Sequence, residues 1–314
     1  MNVLSLFDGI SAGQVALERA AIKIDNYYAS EIDNYAIKVT QKNYPGTVQL
    51  GDIELWKDWD IEIPDIIIAG SPCQGFSIAG KQLNFEDPRS KLFFTFVEIL
   101  RHYQKLNPNI KFLLENVRMK KQWKDLITEF MGVEPVEIDS ALVSAQSRKR
   151  LYWTNIENIE QPKDKEIYLK DIIEHGFVDR DKSYCIDANY FKGGNLRSYY
   201  EDGRRQIVNL SSSLNHKRCI QVGEADLSGH DICRRVYSLN GKSPAIKTGS
   251  GGNLEPKIIT SEKTYRKLTP LECERLQTFP DKYTEGVSNT RRYHGLGNSW
   301  TVDVIVHIFK NLKT

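Results

Sequence analysis

Val3-Leu4-Ser5-Leu6-Phe7-Asp8-Gly9-Ile10-Ser11-Ala12-Gly13 carries the signal that decides the fold class. Val3 to Phe7 reads as a short apolar strand, Asp8 to Gly13 as a glycine turn, and Val15 to Ala21 as the helix that follows. Outward from this unit the same alternation recurs. Asn26 to Ser30 is a second strand ending at Glu31, and Pro64 to Gly70 is a third, whose isoleucine run suits a strand buried on both faces. Ser90 is a candidate N-cap for a helix in which Phe93, Phe96, Val97, Leu100 and Tyr103 recur at helical spacing until Asn107-Pro108 stops it. Lys111 to Leu114 is the next strand, followed by Glu115-Asn116. Strands alternating with helices predict an α/β fold, a doubly wound, mostly parallel sheet with right-handed crossovers. Ligands of such sheets collect beyond the carboxyl ends of the strands, so Glu31, Cys73 and Glu115, each just past such an end, are expected to share one crevice.

The 314 residues suffice for one large α/β domain carrying a smaller one, and 40% hydrophobic with 27% charged residues excludes collagenous, low-complexity and largely disordered chains. Lys and Arg number 43 against 41 Asp and Glu, so any basic surface must be local. No apolar run approaches the ~20 residues of a membrane span, and the acid at Asp8 comes too early for a signal peptide, which gives the expectation of a soluble, cytoplasmic protein with no membrane partner. The five cysteines are scattered and form no C-x-x-C pair, so neither a disulfide framework nor a metal site is expected.

After about residue 160 the pattern changes. Three regions are expected: 1–165 as the first domain, 166–285 as a smaller, loop-rich domain, and 286–314 returning to the first through a helix with the stripe Ile305, Ile308, Phe309 and Leu312. Within the second, Gly176 to Tyr265 holds ten of the 21 glycines and 14 Lys and Arg against 10 Asp and Glu, so the positive excess of the chain lies there.

A strand, a glycine turn, a helix and an acid after the next strand are the arrangement for a nucleoside cofactor whose ribose the acid holds. The turn lacks the G-x-G-x-x-G spacing for a pyrophosphate, which disfavours a nicotinamide oxidoreductase and leaves a phosphate-free cofactor such as S-adenosylmethionine. A tight turn with a surface glutamate would read the same way. Gly70-Ser71-Pro72-Cys73-Gln74-Gly75-Phe76-Ser77 sets a thiol after a buried strand; alone it could be a small buried hydrophobe, but Glu115 at the end of the neighbouring strand supplies a carboxyl group to accompany a nucleophile.

In order along the chain stand Phe7 to Gly13, Glu31, Gly51-Asp52-Ile53, Pro72-Cys73-Gln74, Leu92-Phe93-Phe94, Glu115-Asn116-Val117 and Gln146-Ser147-Arg148-Lys149-Arg150. Leu268-Thr269-Pro270 through Arg275-Leu276-Gln277-Thr278-Phe279-Pro280 and Gly297-Asn298-Ser299 complete the series. With these motifs the sequence resembles the cytosine carbon-5 DNA methyltransferases of bacterial and phage type. Ser11 and Ala12 replace two glycines of the family's usual first motif, and this variant, like Gly297-Asn298-Ser299-Trp300-Thr301-Val302, is similar to the animal de novo enzymes.

The resemblance implies a class I, Rossmann-like S-adenosylmethionine-dependent methyltransferase with a target-recognition domain, acting on double-stranded DNA in a prokaryotic cell or phage-infected host. It is expected to act as a monomer, with a separate restriction endonuclease as a candidate companion. Catalysis is expected from Cys73 as nucleophile to carbon 6 of a flipped-out cytosine and from Glu115 at N3, with Arg148 and Arg150 orienting the base, Glu115 and adjacent phosphates. Cofactor contacts are expected from Phe7, Asp8, Gly9, Gly13, Glu31, Ile32, Asp52, Ile53, Pro72, Leu92, Asn298 and Trp300. DNA contacts are expected from Gln74, Ser77 and Lys81 in a lid from Gln74 to Arg89, and from Arg234, Arg235, Lys247, Thr248, Gly251 and Gly252 in the recognition segment. The rival readings are an RNA cytosine methyltransferase and a catalytically inactive DNA-binding regulator.

Overall fold

A computed structural model describes residues 1–71, 88–192, 199, 202–210, 221–224, 235–237, 257–258 and 265–312. Five strands, β1 (Asn2–Leu6), β2 (Asn26–Ser30), β3 (Val48–Gln49), β4 (Ile66–Gly70) and β5 (Lys111–Val117), join β6 (Val136–Asp139) and β7 (Lys149–Thr154) in one sheet of order β3-β2-β1-β4-β5-β7-β6. Neighbours are parallel except that β7 runs antiparallel to both β5 and β6. The chain winds outward in one direction from β1 to β2 and in the other to β4, so the topological switch point lies between β1 and β4.

Alternation along the strands assigns each side chain to a face. Val3, Ile66, Ile68, Leu113 and Tyr152 enter one hydrophobic cluster, while Leu4, Leu6, Ile67, Ala69, Phe112, Leu114 and Trp153 enter the other. Apolar residues on both parities are what a doubly covered sheet requires. The first face is covered by α1 (Ala12–Arg19), α2 (Asn34–Asn43) and the terminal helix α8 (Val302–Phe309), which packs on α1 with Ile305, Ile308 and Phe309 buried. The second is covered by α3 (Pro88–Leu106) and α4 (Lys121–Met131).

Gly13 in α1 is a packing requirement: a Cβ there would overlap Ile68 and approach Tyr27 Oη to 2.8 Å. α5 (Leu169–Ile172), α6 (Pro270–Leu276) and α7 (Asn289–Asn298) contribute Leu169, Ile172, Cys273, Leu276, Tyr293 and Leu296 to the first cluster, and the segments flanking α6 add Leu268, Phe279 and Tyr283. That cluster is thus continuous from β1 through segments on both sides of residue 285. Two smaller sheets lie apart from the main one in the topology: β8 (Ile207–Asn209) with β12 (Tyr265–Lys267), and β11 (Lys257–Ile258), β10 (Arg235–Tyr237) and β9 (Gln221–Glu224) in that order.

Two local expectations are corrected. Ser90 lies inside α3 instead of capping it, because Pro88, with its fixed φ and missing N–H, suits the first helical turn. Glu115 lies within β5 instead of after it, since antiparallel pairing with β7 carries the ladder on to Val117 opposite Arg150.

Candidate active site

Parity explains which side chains meet. Positions 113 and 115 of β5 share a face, as do Ile68 and Gly70 of β4, and Gly70 is the register partner of Glu115. Through the approach to β7 and into its first residues the run Gln146 to Arg150 alternates: Gln146, Arg148 and Arg150 turn inward while Ser147 and Lys149 are exposed. Arg148 is thus buried at 6% exposure, not part of a solvated basic run.

Glu115, 8% exposed, is held from two sides. Arg150 Nε lies 3.0 Å from Oε1 as a close ion pair, although its angle is off the line of a hydrogen bond. Trp300 Nε1 donates to Oε2 at 3.1 Å. Burial is the largest single effect on Arg150 and opposes its charge, but the Glu115 carboxylate together with Cys185 and Tyr152 outweighs it and moves the pKa of Arg150 upward.

Arg148 has a different task. Its Nη1 donates to Ile186 O at 3.0 Å and lies 3.2 Å from Cys185 Sγ, and its Nη2 donates to Gly297 O at 3.2 Å and Ser299 O at 3.0 Å. The guanidinium is spent on backbone carbonyls, so Arg148 builds the wall of the site; burial and the neighbouring Arg150 lower its pKa. Gln277 joins it, donating to Leu296 O and Ser299 O and accepting from Thr301 Oγ1. Cys185, a half-buried free thiol beside both guanidinium groups, escaped the sequence reading because nothing near it in the chain marks it.

On the other side of the switch point, the turn after β1 is strained: Phe7 has φ 57° and Ser11 φ 62°, both in the left-handed region. Asp8 accepts from Ser5 Oγ at 2.6 Å and Tyr27 Oη at 2.8 Å through Oδ1, while its buried Oδ2 has no partner. Burial pushes the Asp8 carboxyl up to about 6, against the opposing effect of those hydrogen bonds. Gly9 N donates to Glu31 Oε2, and Ile32 N and Asp33 N donate to Oε1, each at 2.8 Å. These occupy three of the roughly four acceptor positions of a carboxylate, which leaves one lone pair free for a further donor.

Ile32 is an apolar side chain left 72% exposed beside Glu31. Asp52, exposed, accepts from Glu54 N at the start of a short 3-10 turn in which Ile53 is buried. Carboxylates and exposed apolar surface at the ends of β1, β2 and β3 fit a nucleoside-bearing cofactor. Leu92 packs partly buried on the second face, and Asn298 is exposed, 3.5 Å from His294 Nε2.

Pro72, Cys73, Gln74, Ser77, Lys81, Arg234, Lys247, Thr248, Gly251 and Gly252 lie outside the described residues, as does the side chain of Arg235, and of the expected lid only the backbone from residue 88 onward, within α3, is described. Among the described residues no cluster of His, Cys, Asp and Glu could hold a metal ion, and no helix is long and apolar enough to cross a membrane.

The family model for the C-5 cytosine-specific DNA methylases matches residues 1–314. The chain belongs to that family. The type II methyltransferase M.NlaX of Neisseria lactamica is 30% identical to this methylase, over 99% of the chain and 96% of the relative. The type II methyltransferase M.HhaI of Haemophilus parahaemolyticus is 28% identical, over 99% and 94%. Among solved structures, the Dnmt2 methyltransferase of S. pombe shares the fold with a TM-score of 0.66 at 18% identity, over 99% of this chain and 97% of that one. The methylase is a DNA cytosine-5 methyltransferase with the Rossmann-like class I architecture.

Proposed function

We propose that this methylase modifies a flipped-out cytosine in a specific double-stranded DNA sequence through a covalent adduct with Cys73. The observation that carries the reading is the pinned carboxylate: Glu115 sits two residues before the end of β5, paired in register with Gly70, and Cys73 follows Gly70 by three residues.

A cytosine ring is too electron-poor at carbon 5 to attack a methyl group unaided. Cys73 as thiolate forms a bond to carbon 6 while Glu115 passes a proton to N3, which makes carbon 5 an enamine carbon. Arg150 holds Glu115 toward the base, and Arg148 holds the 297–299 backbone behind it. S-adenosylmethionine, when bound, supplies the electrophilic methyl group. Release of the carbon-5 proton, return of the N3 proton to Glu115 and expulsion of the Cys73 thiolate restore the enzyme.

The cofactor would lie across the Phe7 turn, with Glu31 on the ribose, Ile32 over the adenine and Asp52 near its amino group. Extraction of the base costs a few kcal/mol that contacts in the pocket return. Target choice is assigned to the segment from Gly176 to Tyr265, where the positive excess lies and no catalytic motif does.

The test is bisulfite sequencing of DNA treated with the protein and S-adenosylmethionine, with RNA treated in parallel. Methylcytosine at one recurring DNA sequence is expected. Modification of RNA alone, or of neither, would reject the reading.

A further inference from the structure

We propose that Trp300 is a positioning residue for Glu115: its indole N–H, seated on the bare backbone of Gly70, fixes the carboxylate that meets the base. This rests on the reading of Glu115 given above. Three observations carry it. The first is the buried hydrogen bond from Trp300 Nε1 to Glu115 Oε2, on the oxygen opposite the one paired with Arg150. The carboxylate is therefore held by an ion pair from β7 and a hydrogen bond from the segment between α7 and α8, and rotation about its last torsion breaks one or the other.

The second is steric. A Cβ at Gly70 would lie 2.9 Å from the indole nitrogen and 3.4 Å from Cε2, so the edge of the ring fills the space that a side chain at position 70 would take, directly beside Glu115 in the sheet. The third is anchoring. Ser299 O accepts from Arg148 and Gln277, and Thr301 Oγ1 donates to Gln277, so the backbone on both sides of Trp300 is fixed. A side chain that served only as cofactor surface would need neither a glycine under its nitrogen nor a carboxylate on it.

The test measures kcat and the KM for S-adenosylmethionine and for DNA in Trp300→Phe, Gly70→Ala, the double variant and Glu115→Gln. Phe keeps the ring packing and removes the donor; Ala at position 70 pushes the donor away. Each single variant is expected to lower kcat about tenfold or more, the worth of one hydrogen bond to a charged group, with KM for S-adenosylmethionine within about twofold. Because both act on one hydrogen bond, the double variant should lose no more than the worse single.

A kcat within about twofold of wild type in Trp300→Phe, or a loss confined to the KM for S-adenosylmethionine, overturns the proposal. If Trp300→Phe does not fold, Gly70→Ala alone decides by the same criterion. Glu115→Gln tests the underlying reading separately: near-wild-type activity there removes both, whereas an inactive Glu115→Gln beside an unaffected Trp300→Phe removes only the role of Trp300.

Discussion

Replacing Asp8 by Asn should make the methylase more stable, relative to wild type, as pH rises. The carboxyl is raised from 3.8 to about 6 because burial strips it of water, with Oδ2 left unpartnered and Glu31 nearby. Below the unfolded value it is neutral in both states and contributes no pH dependence. Between the two values the folded state holds a proton that the unfolded chain has lost, so stability falls as pH rises through this window, and the loss is complete above the folded value. The separation corresponds to about 3 kcal/mol, of which roughly 2 kcal/mol develops between about pH 4.5 and about pH 7.5.

Asn keeps the Oδ1 acceptor for Ser5 and Tyr27 and cannot ionise. Urea denaturation of both proteins across this range gives the difference directly: the variant should gain roughly 2 kcal/mol on wild type and then stay level above about pH 7. A difference that does not change with pH would refute the assignment of a buried, reluctantly ionised carboxylate to this turn.

Three further outcomes follow from the geometry. Arg148→Ala removes the donors to Ile186, Gly297 and Ser299 carbonyls and should lower stability by about 3 kcal/mol or more in the same denaturation assay; Arg148→Lys, lacking the forked geometry, should not restore it. Glu31→Ala should weaken S-adenosylmethionine binding about tenfold or more in calorimetry, and unchanged affinity would remove Glu31 from the cofactor site. Exchange of residues 176–265 for the equivalent segment of a relative with another specificity should move methylation to the sequence of the relative, whereas an active hybrid that keeps its original target would place recognition elsewhere.

The local parts of this structure were legible because their signals are local. The first strand and turn, β2, the isoleucine strand β4 and the apolar stripe of α3 all follow from period and punctuation, and Phe93, Phe96, Val97, Leu100 and Tyr103 are all buried. Glu115 could be found because a strand ends near it. What escaped depends on distant partners. The extension of β5 to Val117 comes from β7, a strand that arrives more than thirty residues later. The acceptors of Arg148 lie 38 to 151 residues away, so only the tertiary fold reveals that one arginine of the Gln146 to Arg150 run is structural while the other faces the carboxylate. Likewise the indole of Trp300 reaches Glu115 across 185 residues, and only the glycine at position 70 makes room for it.

In the proposed reaction Glu115 assists a cysteine attack on cytosine, and the cysteine is Cys73. Cys185 is the natural competitor, being a free, half-buried thiol among the same arginines. DNA carrying 5-fluorocytosine at the target position separates the two, because the blocked carbon-5 position cannot release a proton and the covalent adduct persists. Peptide mapping by mass spectrometry of the complex trapped with S-adenosylmethionine should find the nucleotide on the peptide that contains Cys73. A nucleotide on Cys185, or no denaturant-stable complex from a protein that methylates unsubstituted DNA, would remove Cys73 as the nucleophile.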